Sequence, residues 1–327
     1  MPKASLIIPN WNGAHLLSAC LQSINEQTFR DFEVIVVDNG SLDNSLEVIK
    51  KVLPKTKVIA LPENVGFSPA VNKGIKAAQG KYIVLINNDA KLDKNCLNFL
   101  IQAADLHEEV GFVAAKMLNF FDKTVIDSAG DYIDAVGHAN NIGFGEKDGP
   151  KFSKEGSLFL ATGGGSLFKK EVFEKVGLLD EDYFAYFEDV DLCLRAQLQG
   201  YKGWFEPKAV IFHIHKATSG KNKPFLEYLQ FRNMAATIIK DFPKALLFKD
   251  LNWLKILLVN LNTIRFLASQ GHLLPALQAE WYILRNLFKL LRQRKEIQAK
   301  KTVSDNYIIE NIVPKKVTLF GLLRPGF

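Results

Sequence analysis

Cysteine is scarce and scattered. Cys20, Cys96 and Cys193 have no paired spacing, which excludes a disulfide framework or a zinc site and leaves buried thiols in a reducing compartment as the expectation. Long hydrophobic runs are missing too. Met1-Pro2-Lys3 leads straight into Ala4-Ser5-Leu6-Ile7-Ile8, too short for an export core. The longest uncharged apolar stretch toward the C-terminus, Ile256 to Ile264, is interrupted by Asn260 and Asn262, whereas a membrane span needs about 20 apolar residues. There is no internal repeat and no low-complexity segment. The expected location is cytoplasmic, at most peripheral at the inner face of the cell membrane.

What is present is ordinary globular material. Of 327 residues, 48% are hydrophobic and 23% charged, enough for a sizeable core and against wholesale disorder. The net charge of +6 admits nucleic acid or an anionic membrane as partners, so the position of the charge has to decide.

The first ninety residues alternate strand and helix signals. Ser5–Ile8, Glu33–Val37, Lys57–Leu61 and Lys81–Ile86 are short apolar runs of the kind that fill buried parallel strands. Helical patterns through Leu17, Leu21 and Ile24, through Leu46 and Ile49, and from Ser68 to Gln79 separate them. Repeated β-α units predict a mostly parallel sheet flanked by helices, with ligands at the carboxyl ends of its strands. Four polar turns arrive there: Pro9-Asn10-Trp11-Asn12-Gly13, Asp38-Asn39-Gly40-Ser41, Asn64-Val65-Gly66-Phe67 and Asn87-Asn88-Asp89. Any one could be a plain turn; four on one edge suggest a site.

Within these segments the carboxylates carry the chemistry. Asp89, closing a buried strand, can hold a Mg²⁺ or Mn²⁺ ion that bridges a diphosphate, or can cap a helix near Leu92–Asn95. Asp38 can accept from a nucleoside or from its own turn. Phe187-Glu188-Asp189-Val190-Asp191-Leu192 packs three acids among aromatic residues, surroundings that raise a carboxyl pKa toward a general base's range. The same acids also suit a helix start. His213 and His215 lie one residue apart on an expected strand and so point to opposite faces; one of them can reach the site.

In this order the segments resemble the family 2 glycosyltransferases, above all the rhamnosyltransferase-like branch. The matching stretches are Leu6–Asn12, Val36–Ser41, Asn64–Phe67 with Asn72-Lys73-Gly74, Leu85–Asp89, Thr162–Gly164, Gly177–Glu181, Tyr186–Leu192, and His213 with Ser219. The resemblance implies a GT-A fold, inverting chemistry and a nucleotide-diphosphate sugar donor. It implies donor-binding roles for Pro9, Asn10, Asn12, Asp38, Asn64, Gly66, Asn72 and Asn88. It makes Asp89 and His213 metal ligands for Mg²⁺ or Mn²⁺, and Asp189 the base with Asp191 its rival. Gly163, Gly164 and Gly165, open for lack of side chains, and Glu188 would meet the acceptor, a glycan or lipid-linked hydroxyl. One departure stands out: Asn87 and Asn88 precede Asp89 where many relatives carry a second acid, which implies a weaker metal site.

The expected organisation is a catalytic domain over residues 1–224, with a nucleotide-sugar half (1–110) and an acceptor half (111–224), and a helical extension over 225–327. Leu277, Trp281, Leu284, Phe288 and Leu291 form a helical stripe accompanied by Arg285, Lys289, Arg292 and Lys295. That suits an anionic membrane surface, the catalytic core, or a second subunit in a homodimer. Nucleic acid fits less well, since the cations follow an apolar stripe and no binding motif accompanies them. A sugar-nucleotide pyrophosphorylase would need a cationic loop after the first strand, which Pro9–Gly13 does not supply. A non-catalytic membrane-associated scaffold would not need both Asp89 and Asp189.

Overall fold

The computed structural model describes residues 1–214 and 223–313; His215 and Ser219 of the sequence reading lie outside them. Strands and helices alternate at first as β1 (Ala4–Asn10), α1 (Ala14–Asn25), β2 (Phe32–Asp38), α2 (Ser45–Val52), β3 (Lys57–Ala60), α3 (Phe67–Ala77) and β4 (Tyr82–Ile86). Then follow β5 (Ala90–Leu92), α4 (Cys96–Leu106), β6 (Val110–Asn119), β7 (Ile126–Ser128), β8 (Asp131–Ile133) and β9 (Ala139–Asn141). The segment closes with β10 (Gly156–Leu158), β11 (Gly165–Lys169), α5 (Lys170–Val176), α6 (Glu188–Leu198) and β12 (Lys202–His213).

A ten-stranded sheet runs β10-β12-β6-β11-β4-β1-β2-β3, with β5 on β12 and β7 on β6. The strands β4, β1, β2 and β3 are mutually parallel. In β1, Leu6, Ile7 and Ile8 are all fully buried, because helices cover both faces of a parallel sheet and leave no solvent side for alternation. One face packs Leu6 and Ile8 on Leu17, Leu21 and Ile24 of α1 and on Leu97 and Leu100 of α4. Each such side chain contributes about 1.5–3 kcal/mol on burial.

Topology also decides what reaches the functional edge. The strand β11 runs antiparallel to β4 and to β6, so it starts at the edge where β4 ends. The strand β12 runs parallel to β6, which brings its last residue, His213, to that same edge opposite Ala90. Residues 89 and 213 are thereby joined by sheet register, and Ile214 N donates to Asp89 O at 3.2 Å. All three cysteines are buried and free.

The chain divides into two compact units. The first holds the ten-stranded sheet with α1–α5 and most of α6. The second combines Tyr132–Asn140 and Gln197–Gly200 with the described residues from Lys223 onward: α7 (Lys223–Asp241), α8 (Lys244–Phe248), α9 (Asn252–Ser269), α10 (Leu273–Ala299) and α11 (Asp305–Asn311). Within it Arg294 donates to Ile239 O and Phe242 O, each at 2.7 Å, satisfying carbonyls that the end of α7 leaves open. Among the described residues no helix is long and apolar enough to cross a membrane.

Candidate active site

The strand ends carry a connected polar network. Asn88 donates to Asn10 Oδ1 at 2.8 Å, and Asn10 Nδ2 donates to Asp38 at 3.1 Å and to Ser41 Oγ at 3.3 Å. Asp38 also accepts from Ser41 N at 3.2 Å, so the plain turn anticipated for it is present. Asn12, in a left-handed conformation (φ 49°), donates its backbone N–H to Ser41 Oγ and accepts from Leu42 N. The ends of β1, β2 and β4 are thus locked side by side, with Pro9 half-buried in β1.

Asp89 does not cap a helix. It precedes the short strand β5, and α4 begins only after Asn95. Its Oδ1 lies 3.1 Å from Nε2 of His213, whose Nδ1 lies 2.8 Å from Oδ2 of Asp127. His213, Asp89 and Asp127 are all buried. Burial lowers the His213 pKa, but the hydrogen bonds and charges of Asp127 and Asp89 more than reverse this, raising it from 6.5 to about 9. Asn87 Nδ2 stands 3.4 Å from the same Nε2.

From Asn87 the network turns to the opposite wall. Asn87 N donates to Gly164 O, and a methyl group on Gly164 would sit 2.4 Å from Asn87 Nδ2. At Gly165 it would sit 3.0 Å from the Met117 sulfur. These glycines are buried, and their lack of a side chain lets the turn close on Asn87 and Met117. Gly163, also buried, donates its N–H to Asp189 Oδ2 at 2.8 Å.

Asp189 stands in the first turn of α6 and also accepts from Val190 N at 2.8 Å. Burial raises its pKa, while the backbone N–H groups of Gly163, Val190 and Asp189 oppose the rise. Glu188 is pushed well above the usual range by burial and by the charge of Asp189, and its buried Oε2 has no protein partner. Two adjacent carboxylates, Glu188 buried and Asp189 half-buried, cannot both ionise cheaply. The backbone donors favour the charge on Asp189 over Glu188. Asp131 is likewise raised, by burial and then by Asp189, despite hydrogen bonds from Ser128 and Asn141.

Asp191 has a different task. It is fully buried and receives Arg195 Nε at 2.8 Å and Nη2 at 2.6 Å. Arg195 in turn donates to the carbonyls of Val176 and Leu178. Asn72 braces the next residues: its amide donates to Leu179 O and Glu181 and accepts from Leu179 N. Asn64 Oδ1 accepts from Gly66 N and from Asn39 Nδ2, each at 2.9 Å. Asn72 and Asp191 are thus held by bracing contacts inside the protein, and Asn64 by its Oδ1 alone.

What they brace is a strained loop. Phe184, Tyr186 and Phe187 have φ of 62°, 68° and 69°, a conformation side chains adopt only at a cost, and one that clusters at functional sites. Phe184 O accepts from Ser68 N. Gly66 (φ 98°) has room for no side chain, since a methyl group there would sit 2.6 Å from the Phe184 ring.

Asn87, Asp127 and Asp131 escaped the sequence reading as site residues. Asp127 lies 86 residues from His213 in sequence, in a stretch of weak periodicity, and only the pairing of β7 with β6 and of β6 with β12 brings them together.

Comparisons with known proteins bear on the family and the fold. The chain is similar to an uncharacterized glycosyltransferase of Nostoc sp., 27% identical over 229 residues, which cover 66% of each chain. It is similar to the O-antigen biosynthesis protein RfbC of Myxococcus xanthus, 28% identical over 227 residues, 66% of this chain and 18% of that protein. Among solved structures it resembles the mannosyltransferase PcManGT from Pyrobaculum calidifontis in complex with GDP-Man and Mn²⁺, with TM-score 0.52, 19% identity, and coverage of 95% and 87% of the two chains. GalNAc-T7 with UDP, GalNAc and Mn²⁺ gives TM-score 0.63 and 15% identity over 80% of this chain and 51% of that one. At these identities the structural likeness speaks for the fold, which is GT-A with a C-terminal helical region, as the sequence led one to expect. The chain spans 25%, 44% and 66% of the length of three curated relatives. The model of glycosyl transferase family 2 matches residues 5–177, more than half of the 327, and the chain belongs to that family.

Proposed function

We propose that the protein moves a sugar, with rhamnose a candidate, from a nucleotide-diphosphate donor to a hydroxyl of a glycan or lipid-linked acceptor, with inversion, in surface polysaccharide synthesis. The observation that carries this reading is the joining of a carboxylate–histidine pair and the Asp189 carboxylate through Asn87 and the Gly163–Gly164 turn. Asp189 takes the proton of the acceptor hydroxyl as its oxygen bonds to the anomeric carbon. On the opposite face the bond from that carbon to the diphosphate oxygen breaks, and the diphosphate leaves with the electron pair. Glu188, whose carboxyl is pushed toward its protonated form by burial and by Asp189, can donate to an acceptor oxygen when it holds a proton. Asn10, Asn12, Asp38 and Asn88 shape the nucleoside end.

The donor set fits a divalent cation. Asp89 Oδ1 and His213 Nε2, 3.1 Å apart, are a carboxylate oxygen and an imidazole nitrogen, donors that a Mg²⁺ or Mn²⁺ ion would accept. Asp127 on Nδ1 supplies the carboxylate partner that ligating histidines commonly have. Among the described residues no three acidic, His or Cys side chains converge on one point, so Asp89 and His213 would hold the ion together with oxygens of the donor and water. Such an ion neutralises charge on the leaving diphosphate. The similarity to RfbC, named for O-antigen biosynthesis, supports a polysaccharide role.

The test is a panel of nucleotide sugars screened by thermal shift with and without Mn²⁺, followed by turnover of the donor that binds. Asp189→Asn should bind that donor normally and lose transfer by a factor of about 10²–10⁴. Near-normal turnover in this variant would remove Asp189 from the role of base.

A further inference from the structure

We propose that the second unit docks on an anionic lipid bilayer through the outward faces of α9 and α10, which goes beyond the transferase reading and stands without it. The helix α10 buries Ala276, Ala279 and Leu290. Its other side is also apolar: Leu274, Leu277, Trp281, Leu284, Phe288 and Leu291 are exposed, Phe288 by 89%, Trp281 by 64% and Leu284 by 63%. At about 100° per residue this second stripe lies roughly 140° around the axis from the buried one. Packing within the unit therefore accounts for one stripe and not the other. Trp253, Leu257 and Leu261 repeat the pattern on α9 at a spacing of four. Next to the α10 stripe an open groove of about 600 Å³ is lined by Phe225, Leu274, Pro275, Trp281, Tyr282 and Arg285.

Charge chooses the occupant. Arg285, Arg292 and Lys295 are exposed on or beside the apolar stripe of α10, and Lys300 follows at its end. The acids of α10 are Glu280 and Glu296, and Glu280 accepts from Asn260. A second copy meeting it through the same face would bring the same excess of cations, with only Glu280 and Glu296 against them. A bilayer with anionic headgroups offers both what the apolar stripe lacks and what the cations lack. Trp281 suits the boundary between acyl chains and headgroups.

Vesicle flotation of the full-length protein tests this. Binding to phosphatidylcholine vesicles containing phosphatidylglycerol should exceed binding to phosphatidylcholine alone by about tenfold or more and should fall with added salt. The double variant Trp281→Glu/Phe288→Glu should lose binding to both lipids. Arg285→Gln/Arg292→Gln should lose only the preference for anionic vesicles. Both pairs are solvent-exposed, so thermal stability should match the parent; if the first variant misfolds, the arginine variant and the salt series on the parent still decide. Absence of binding to the anionic vesicles, or equal binding to both lipids, overturns the proposal. A lipid-free dimer in sedimentation velocity, abolished by the same Glu variant in a protein that ignores vesicles, overturns it in favour of a second copy.

Discussion

In metal-free protein, stability should fall as pH rises from about 6.5 to about 9, and His213 should account for the fall. Its folded-state pKa is raised from 6.5 to about 9, against burial, by Asp127 and Asp89. A group raised in this way binds its proton more tightly folded than unfolded. Its stabilisation is complete below the unfolded pKa and disappears as pH passes through the folded one. A difference of about 2.5 units corresponds to roughly 3 kcal/mol, and for a unit of this size that is a shift of roughly 6–12 °C in Tm. The side chain is only 11% exposed, so solvent screening removes little of this. The assay is urea or thermal unfolding in EDTA at closely spaced pH, for the parent, His213→Gln and Asp127→Asn. The glutamine variant should flatten the profile between pH 6.5 and 9. Asp127→Asn removes one of the two carboxylates and should end the fall at a lower pH. Mn²⁺ should shift the balance the other way, because a ligating imidazole nitrogen has to give up its proton: affinity should climb about tenfold per pH unit up to about 9, and Asp127→Asn should weaken it about 10–100-fold above that. A parent and a His213→Gln variant with identical pH profiles would refute the reasoning, since the raised pKa would then contribute nothing to folding.

Other outcomes separate residues that sequence alone left level. Asp191→Asn should lower unfolding free energy by about 3–5 kcal/mol in urea titration, because it strands the buried Arg195 guanidinium, whereas Asp189→Asn should cost far less stability and abolish transfer. Gly164→Ala should push Asn87 away from His213 at a cost of about 1–3 kcal/mol, with Mn²⁺ affinity falling in calorimetry; unchanged affinity would separate the turn from the metal pair. Chelation by EDTA should suppress transfer and Mg²⁺ or Mn²⁺ restore it, and activity undiminished in chelator would take Asp89 and His213 out of the metal role.

The parallel half of the sheet was legible because its strands are nearly unbroken apolar runs ended by polar turns: β4 was expected at Lys81–Ile86 and is found at Tyr82–Ile86. Asp89 was legible as the last residue of such a run, although only the structure shows that a strand follows it and not a helix. The second half of the site follows another logic. His213 needs a ten-residue β6, a β12 beside it with a register shift between Glu206 and Val210, and a three-residue β7, and no local pattern encodes which short strand pairs with which. Residue type was a poor guide for the same reason. Asn72, Asp191 and Asn64 share the polar chemistry of Asn10, Asp189 and Asn88, and all six sit in segments the sequence singled out. For the two acids the partner differs: Asp191 is paired with the Arg195 guanidinium, whereas Asp189 is held by the backbone N–H groups of Gly163 and Val190. Arg195 bridges Asp191 to the carbonyls of Val176 and Leu178, and Asn72 clamps Leu179, so one buried network holds residues 176–181 and with them the approach to the strained aromatic loop. A recurring motif can therefore record the cost of holding Phe184, Tyr186 and Phe187 at positive φ as well as the chemistry beside them. On this account Asp189 depends on residues that never touch a substrate, and Arg195→Lys, which keeps the charge but loses the planar fork, should lower kcat while leaving donor affinity in place.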